Sequence, residues 1–321
     1  QVKDITKSHH HLSKPKNNEY LNVFSVVDGF ESEEKVTKMI ISIIRNTKSP
    51  QKVKFWFIRS FLSPQFKATL QKLALKHSII YCLTDYKWPK WLKCQSIRSN
   101  NACAFKLLFL DLIFKGEKGR VLYMDPTNFV RDGIDIYKLF QSYSFVDNDY
   151  YSDPTLAFPS FSDTRIESDP LRFWKNDYWL SFLQGKQFID PSLFLLDLKR
   201  YKENGSADLL RYIYQIISPD PTTKSTLDQN LINFIRVQMP MKILPDSYYG
   251  CDLWNDDKSM ENVKIVNLCY NPYSKLSEFN RAAYYINDWP VIQNEVNMLK
   301  SRNDEFMAHS FKKQKDLLSE S

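Results

Sequence analysis

Asp125 closes an apolar run, Arg120-Val121-Leu122-Tyr123-Met124, and is followed by Pro126, Thr127 and Asn128. A strand-end carboxylate with a second one two residues on can hold a divalent cation against the phosphates of a departing nucleoside diphosphate. Such a leaving group gathers negative charge in the transition state, and metal ions, lysines or arginines stabilise it. Here the second position is Thr127, so a single carboxylate stands where a hard cation wants several oxygen ligands. A complete Asp-x-Asp occurs at Asp147-Asn148-Asp149, but "FVDNDYYSD" has no clean strand before it and reads as an exposed acidic loop.

Two further stretches carry chemistry. "SDTRIESDPLRFWKNDYWLSFL" (Ser162–Leu183) gathers Arg165, Glu167, Arg172, Trp174, Lys175, Tyr178 and Trp179. Charged groups interleaved with flat rings suit sugar hydroxyls and ring faces, although aromatics are more often core residues. "YKWPKWLKCQSIRSNNACAFK" (Tyr86–Lys106) adds Trp88, Trp91, Arg98 and Lys106, cations that a following helix would aim toward phosphate.

The elements that must position these groups alternate. "LNVFSVV" (Leu21–Val27) predicts a buried strand, and "ESEEKVTKMIISIIRN" a helix with acids in its first turn, where the helix dipole favours them. "VKFWFI" (Val53–Ile58) is a second strand. "LSPQFKATLQKLALKH" is a second helix, started by Ser63 as cap and Pro64 in the first turn. Strands at Ile79–Asp85 and Arg120–Asp125 flank a long apolar helix over Asn101–Phe114. A further buried strand at Pro191–Leu198 and a helix at Leu227–Ile235 follow. Such alternation predicts an α/β fold, a parallel sheet with helices on both faces. Ligands of such sheets sit beyond the carboxyl ends of the strands, which places Asp125 at the functional rim.

Composition limits the alternatives. Hydrophobic content of 43%, with 15% aromatic and 25% charged residues, is that of a folded globular chain. Only 7 glycines, and no GxGxxG or P-loop pattern, argue against a glycine-rich phosphate loop. The net charge of +7 is partly concentrated in Lys3, Lys7, Lys14 and Lys16, so no nucleic-acid partner is expected. No run reaches the roughly twenty apolar residues of a membrane span. Residues 1–18 read as a disordered leader, 19–300 as one domain and 301–321 as a charged tail. The start at Gln1 reads as a cut from a longer polypeptide. Cys82, Cys94 and Cys103 read as buried thiols, while Cys251 and Cys269 are placed to pair in an oxidising compartment. Asn204-Gly205-Ser206 is a glycosylation sequon in a polar stretch that reads as a surface loop.

The ordered motifs "VKFWFI…LSPQFK", "YKWPKWL", "FKLLFLDLIF", "VLYMD", "SDTRIES…RFWKNDYW", "LFLLDLKRY", "STLDQNL" and "LCYNP" closely resemble the catalytic domain of UDP-glucose:glycoprotein glucosyltransferases, from about Tyr20 to Leu299. The resemblance implies a nucleotide-sugar transferase type A fold, with a mainly parallel central sheet flanked by helices. It implies a retaining hexosyltransferase that uses UDP-glucose and acts on a glycoprotein or glycan acceptor in the endoplasmic reticulum lumen, attached to N-terminal domains of a parent polypeptide. It assigns Asp228 and Gln229 catalytic roles; Arg98, Lys106, Asp125 and Lys275 the donor phosphates; and Arg165, Glu167 and Trp174 the sugar. The plainer alternatives are solvated helix residues for Arg98 and Lys106, a loop lysine for Lys275, and a structural ion pair between Arg165 and Glu167.

Departures from the family pattern are equally informative. Its Asp-Ala-Asp is Asp125-Pro126-Thr127 here and its Leu-Asp-Gln-Asp-Leu is Leu227-Asp228-Gln229-Asn230-Leu231, so Thr127 and Asn230 stand at lost metal-ligand positions. Asp125 is left as a weak ligand, and Ca²⁺ or Mn²⁺ affinity is expected to fall with ligand charge. "VDGFESEEK" (Val27–Lys35) replaces a Ser-Gly-His region of the nucleotide pocket, and Asn255 replaces a cysteine. These losses resemble the divergent fungal member of the family, needed for cell-wall β-1,6-glucan. Retention from UDP-α-glucose gives an α-linkage, so a wall role would be indirect, through a glycoprotein or a priming glycan. The competing reading is a domain that has lost catalysis and binds a glycan or a partner.

Overall fold

The computed structural model describes residues 20–92, 105–145, 154–217 and 227–300. Its main sheet has seven strands: β1 (Leu21–Phe24), β2 (Val53–Ile58), β3 (Ile80–Thr84), β4 (Arg120–Met124), β6 (Leu156–Phe158), β7 (Leu193–Asp197) and β8 (Met241–Ile243). They lie in the order β3-β2-β1-β4-β7-β6-β8. A small second sheet joins β5 (Asn128–Val130), β10 (Ile265–Asn267) and β9 (Tyr249–Cys251).

Period-two alternation feeds two cores. Leu21, Phe55, Phe57, Leu122, Met124, Leu193 and Leu195 pack on one face, against helices α1 (Phe30–Asn46) and α2 (Pro64–His77). Phe24, Trp56, Tyr123, Phe194 and Leu196 pack on the other, with residues 105–114 and the helices Ser206–Ile217 and Leu227–Ile235. Strands buried on both faces read as near-continuous apolar runs, which is why the sequence marks them so clearly. Buried and polar, Asn22 accepts from the Trp56 indole at 2.9 Å and donates to the Arg120 carbonyl at 3.1 Å, tying three adjacent strands. Helix α2 starts as expected: Ser63 Oγ accepts from the Phe66 amide at 3.0 Å, and Pro64 fills the first turn.

The sheet is mainly parallel, as expected, with β7 running antiparallel to both β4 and β6. A strand buried on both faces carries no sequence mark of its direction. Two expectations need correction. The apolar helix expected over Asn101–Phe114 is interrupted: residues 105–108 are helical, Phe109 leaves the helical region (φ −127°, ψ 19°), and a short helix resumes over Leu110–Ile113. The Phe109 ring packs against Tyr86, Trp88 and Phe105, so tertiary contacts decide that backbone. Cys82 on β3 is half-buried rather than buried. Cys251 and Cys269 form a disulfide, while Cys94 and Cys103 lie outside the described residues. Asn204 is exposed, in a tight junction between two helices, where its Oδ1 accepts from the Ser206 amide at 3.1 Å.

Candidate active site

β4 delivers Asp125 to the carboxyl rim beside the start of β7, and the Asp125 amide donates to the Ser192 carbonyl at 2.8 Å. The Tyr123 hydroxyl donates to Asp125 Oδ1. Lys106 reaches the other oxygen: its Nζ lies 3.6 Å from Oδ2 and 5.2 Å from the centroid of the Tyr123 ring. Lys106 is only 1% exposed, so it is not the solvated helix residue of the plainer alternative. A buried ammonium requires compensating charge and hydrogen bonds, and Asp125 supplies the charge.

Under this pair lies a polar floor that sequence reasoning missed. The Tyr249 hydroxyl donates to Asp190 Oδ2 at 2.6 Å, and the Ser192 amide donates to Asp190 Oδ1 at 2.9 Å. Ser192 Oγ and Tyr249 OH are 2.6 Å apart, and Asn267 Nδ2 donates to both, at 3.2 and 2.9 Å. Burial pushes the Asp190 carboxyl above its ordinary value, against the pull of Tyr249, Ser192 and the Lys106 charge. Burial also raises the Tyr249 phenol, with Asp190 adding to the effect. The small sheet holds this floor in place: Asn267 pairs with Asn128 across β10 and β5, and the Leu268 amide donates to the Thr127 carbonyl at 3.0 Å. The buried Oδ1 atoms of Asn128 and Asn267 have no hydrogen-bond partner among the described residues. The only available signal was that Asp190-Pro191-Ser192 directly precedes a buried strand.

Thr127 is half-buried in the turn that follows Asp125. Asn230 lies on the helix Leu227–Ile235, its Oδ1 buried and without a hydrogen-bond partner among the described residues. Asn233 pins that helix to the backbone of Ile189, accepting from its amide at 2.9 Å and donating to its carbonyl at 3.0 Å. The helix therefore abuts the segment that carries Asp190 and Ser192. Gln229 is half-buried, and its carbonyl accepts from Asn233 at 2.8 Å. The side chain of Asp228, all of Arg98, and Asp147-Asn148-Asp149 lie outside the described residues. Lys275 is exposed.

The three residues expected at the sugar are split between two places. Trp174 is nearly buried, its ring stacked on Phe161 (4.7 Å) and Phe188 (5.1 Å) within an aromatic cluster, and it lines a cleft of about 610 Å³ together with Ser162, Lys175 and Trp179. Arg165 and Glu167 line a separate cleft next to Asp252 and Arg281. They are not the ion pair of the plainer alternative, because Arg165 binds Asp257 at 2.8 Å. Buried Arg172 fixes that segment, donating to the Ser162 and Arg165 carbonyls at 3.1 and 2.9 Å. Cys251, Asp252 and Cys269 cluster closely, but the sulfurs are joined to each other and offer no thiolate to a metal.

This architecture defines the class. The chain superposes on the galactosyltransferase LgtC with a TM-score of 0.58 at 13% identity, covering 85% of this chain and 95% of that one. With the bifunctional glycosyltransferase WbbM the TM-score is 0.59 at 12% identity, covering 89% and 50%. The fold is that of a type A glycosyltransferase. Residues 21–299 match the glucosyltransferase 24 family, and the chain belongs to it. It is 34% identical over 313 residues to human UDP-glucose:glycoprotein glucosyltransferase 2, covering 96% of this chain and 20% of that protein. The Drosophila melanogaster UDP-glucose:glycoprotein glucosyltransferase is 36% identical over 91% of this chain and 18% of its own length. Killer toxin-resistance protein 5 of Saccharomyces cerevisiae is 27% identical over 78% of this chain and 18% of its own. The chain thus spans about a fifth of the length of these relatives. Among the described residues no helix is long and apolar enough to cross a membrane.

Proposed function

We propose that this domain transfers glucose from UDP-glucose, with retention at the anomeric carbon, to a glycan or glycoprotein in the endoplasmic reticulum lumen, as part of a longer polypeptide. The bond from the anomeric carbon to the β-phosphate oxygen breaks and UDP leaves, while the acceptor oxygen takes its place on the same face and gives its proton to the departing phosphate. In this reading Asp228 and Gln229 face the sugar, while Lys106, Lys275 and Arg98 meet the diphosphate. The observation that carries it is the buried Lys106 ammonium 3.6 Å from Asp125 at the sheet rim. The family match and the glucosyltransferase relatives support the donor.

The ligand set suits a divalent metal poorly. Asp125 already engages Tyr123 through one oxygen and Lys106 through the other, and Thr127 and Asn230 offer only neutral oxygens. A cation this close opposes a second one by direct repulsion. Lys275, which is exposed, can meet phosphate directly through charge-assisted hydrogen bonds, and Lys106, whose ammonium is buried against Asp125, can do so once the diphosphate displaces that contact. Support of β-1,6-glucan formation in a fungal wall belongs to the same proposal, with the yeast relative as its pointer, and it would proceed through a glycoprotein or priming glycan.

Calorimetric titration with UDP and UDP-glucose, with and without Mn²⁺, tests the reading. Binding that is nearly indifferent to Mn²⁺ is expected, and the double variant Thr127→Asp/Asn230→Asp should gain metal dependence. Much tighter binding with Mn²⁺ in the parent would overturn the metal-poor site. Absence of binding in both forms would favour a glycan- or partner-binding module, the reading that the neutral Thr127 and Asn230 support.

A further inference from the structure

Asn204, Gly205 and Ser206 form the joint between the helix Leu198–Glu203 and the helix Ser206–Ile217. We propose that Asn204 carries an N-linked glycan, added to the nascent chain before this joint closes and borne by the folded domain at the end of β4 opposite Asp125. Exposure to the modifying enzyme rests on the lumenal address proposed above; nothing in the transferase chemistry is needed.

A three-residue sequon recurs by chance, so the geometry decides. Asn204 is exposed, whereas Ser206 is buried. Asn204 Oδ1 accepts from the Ser206 amide at 3.1 Å and from the Ser206 hydroxyl, while Nδ2 donates to no described residue. A glycan replaces one hydrogen of Nδ2 and leaves Oδ1 an acceptor, so the turn that starts the next helix survives the modification. Gly205 holds φ at +84° minus nothing of side chain to spare the turn: its φ is +70°, and nothing lies within 4 Å of where a β-carbon would stand, so the flank of Asn204 is open. In the transfer, Nδ2 bonds to C1 of the first N-acetylglucosamine and gives up one proton. The bond from C1 to the phosphate oxygen of a lipid diphosphate carrier breaks, and the carrier leaves with the electron pair.

The fold also fixes when this can happen. An enzyme that reads the sequon must reach the Ser206 hydroxyl, which in the folded chain is buried and bound to Asn204 itself. The helix that begins at Ser206 sinks Ala207, Leu210, Ile213 and Tyr214 into the second core. Arg211 clamps it to Asp111 and to the Leu108 carbonyl, both at 2.9 Å. Opening the joint therefore means undocking this helix, and transfer belongs to the interval before it docks.

Strand pairing sets the position. β4 and β7 place Asp197 beside Arg120, and Leu193 beside Met124. The helix Leu198–Glu203 thus starts at the amino end of β4, where the Leu198 amide donates to the Gly119 carbonyl at 3.3 Å. Lys202 ties its last turn to the same end, donating to the Phe114 and Glu117 carbonyls at 2.6 and 3.0 Å. The five residues of β4 span roughly 16 Å, and Asp125 follows at the far end. A glycan on Asn204 leaves the donor rim uncovered.

The test uses the full 321-residue chain behind a cleavable signal in a eukaryotic secretory host, so that delivery to the lumen does not depend on the natural address. Asn204-Gly205-Ser206 is the one Asn-x-Ser/Thr of the sequence, so any glycosidase-sensitive mobility shift reports this site. The shift should be present, and Asn204→Gln and Ser206→Ala should each abolish it. Folded, oxidised protein made in bacteria should stay unmodified by purified oligosaccharyltransferase with a lipid-linked donor, and the same chain reduced and unfolded should be modified. Trimming the glycan should leave UDP affinity unchanged. A lumenal chain that forms the Cys251–Cys269 bond yet carries no glycan overturns the site. Modification of the folded protein overturns the order of events, and a change in UDP affinity on trimming overturns the placement. Absence of UDP binding in both forms refutes the donor reading and leaves the site upheld. A glycan on the directed chain, with none on the protein in its own cells, refutes the lumenal address instead.

Discussion

Replacing Lys106 by methionine removes the buried cation while keeping a flexible chain of similar length. At 3.6 Å, opposite unit charges attract by about 4–5 kcal/mol at an effective dielectric near 20. Desolvation of the ammonium offsets part of this, and breaking a buried pair costs about 3–5 kcal/mol when the partner stays buried. Asp125 keeps 28% of its side chain exposed and retains the Tyr123 hydroxyl, so the stability loss belongs at or below the lower end of that range. For UDP, loss of one charge-assisted contact of about 1.5–3 kcal/mol predicts roughly ten- to hundredfold weaker binding. Urea denaturation reads the first quantity and calorimetric titration of UDP at fixed ionic strength reads the second. A folded Lys106→Met protein that binds UDP with unchanged affinity would refute the claim that this lysine serves the diphosphate.

Other outcomes follow from single contacts. Glu295 joins residues 289–300 to α2: burial alone would raise its carboxyl, but bonds from Lys76 and His77 outweigh this and hold it below the ordinary 4.5. A depressed carboxyl stabilises the fold above its unfolded value, so Glu295→Gln should cost about 1–2 kcal/mol at pH 7, and the gap to wild type should close as the pH falls below 4.5. Reducing the Cys251–Cys269 bond, which spans 18 residues, should lower stability by about 3 kcal/mol, read as a shift in the denaturation midpoint under reductant. Gly250→Ala would place a methyl 2.6 Å from Val263 Cγ2, so about 1–3 kcal/mol of destabilisation is expected in a thermal melt; a neutral effect would mean that β9 can shift.

Much of the scaffold was legible because its signals are local. The apolar runs of β1, β2, β4 and β7, and the Ser63-Pro64 start of α2, report their own structure through burial and capping. The small sheet was not legible: "NFV", "YGC" and "IVN" are too short for periodicity, and only their mutual pairing makes them strands. The polar floor was hidden for the same reason. Asp190 and Ser192 look like turn residues until β7 is set beside β4, and Tyr249 and Asn267 approach them only through the second sheet. Lys106 was singled out as a cation ahead of an expected helix and again by family resemblance, whereas its burial and its contact with Asp125 emerge only in three dimensions. Trp174 is the converse case: the sequence marks a tryptophan among charges, but not that Phe161 and Phe188 stack on its ring.

The pairing of β5 with β10 has a consequence for biosynthesis. Val130 finds its partner Ile265 only after more than a hundred further residues have been made. At ribosomal speeds of about 5–20 residues per second, the strand beside Asp125 waits roughly seven to thirty seconds for that edge to be covered. During that interval a nascent chain already able to assemble β1, β2 and β4 displays an apolar, unpaired ribbon at the position where its rim will form, a natural target for chaperones and for misassembly between neighbouring nascent chains.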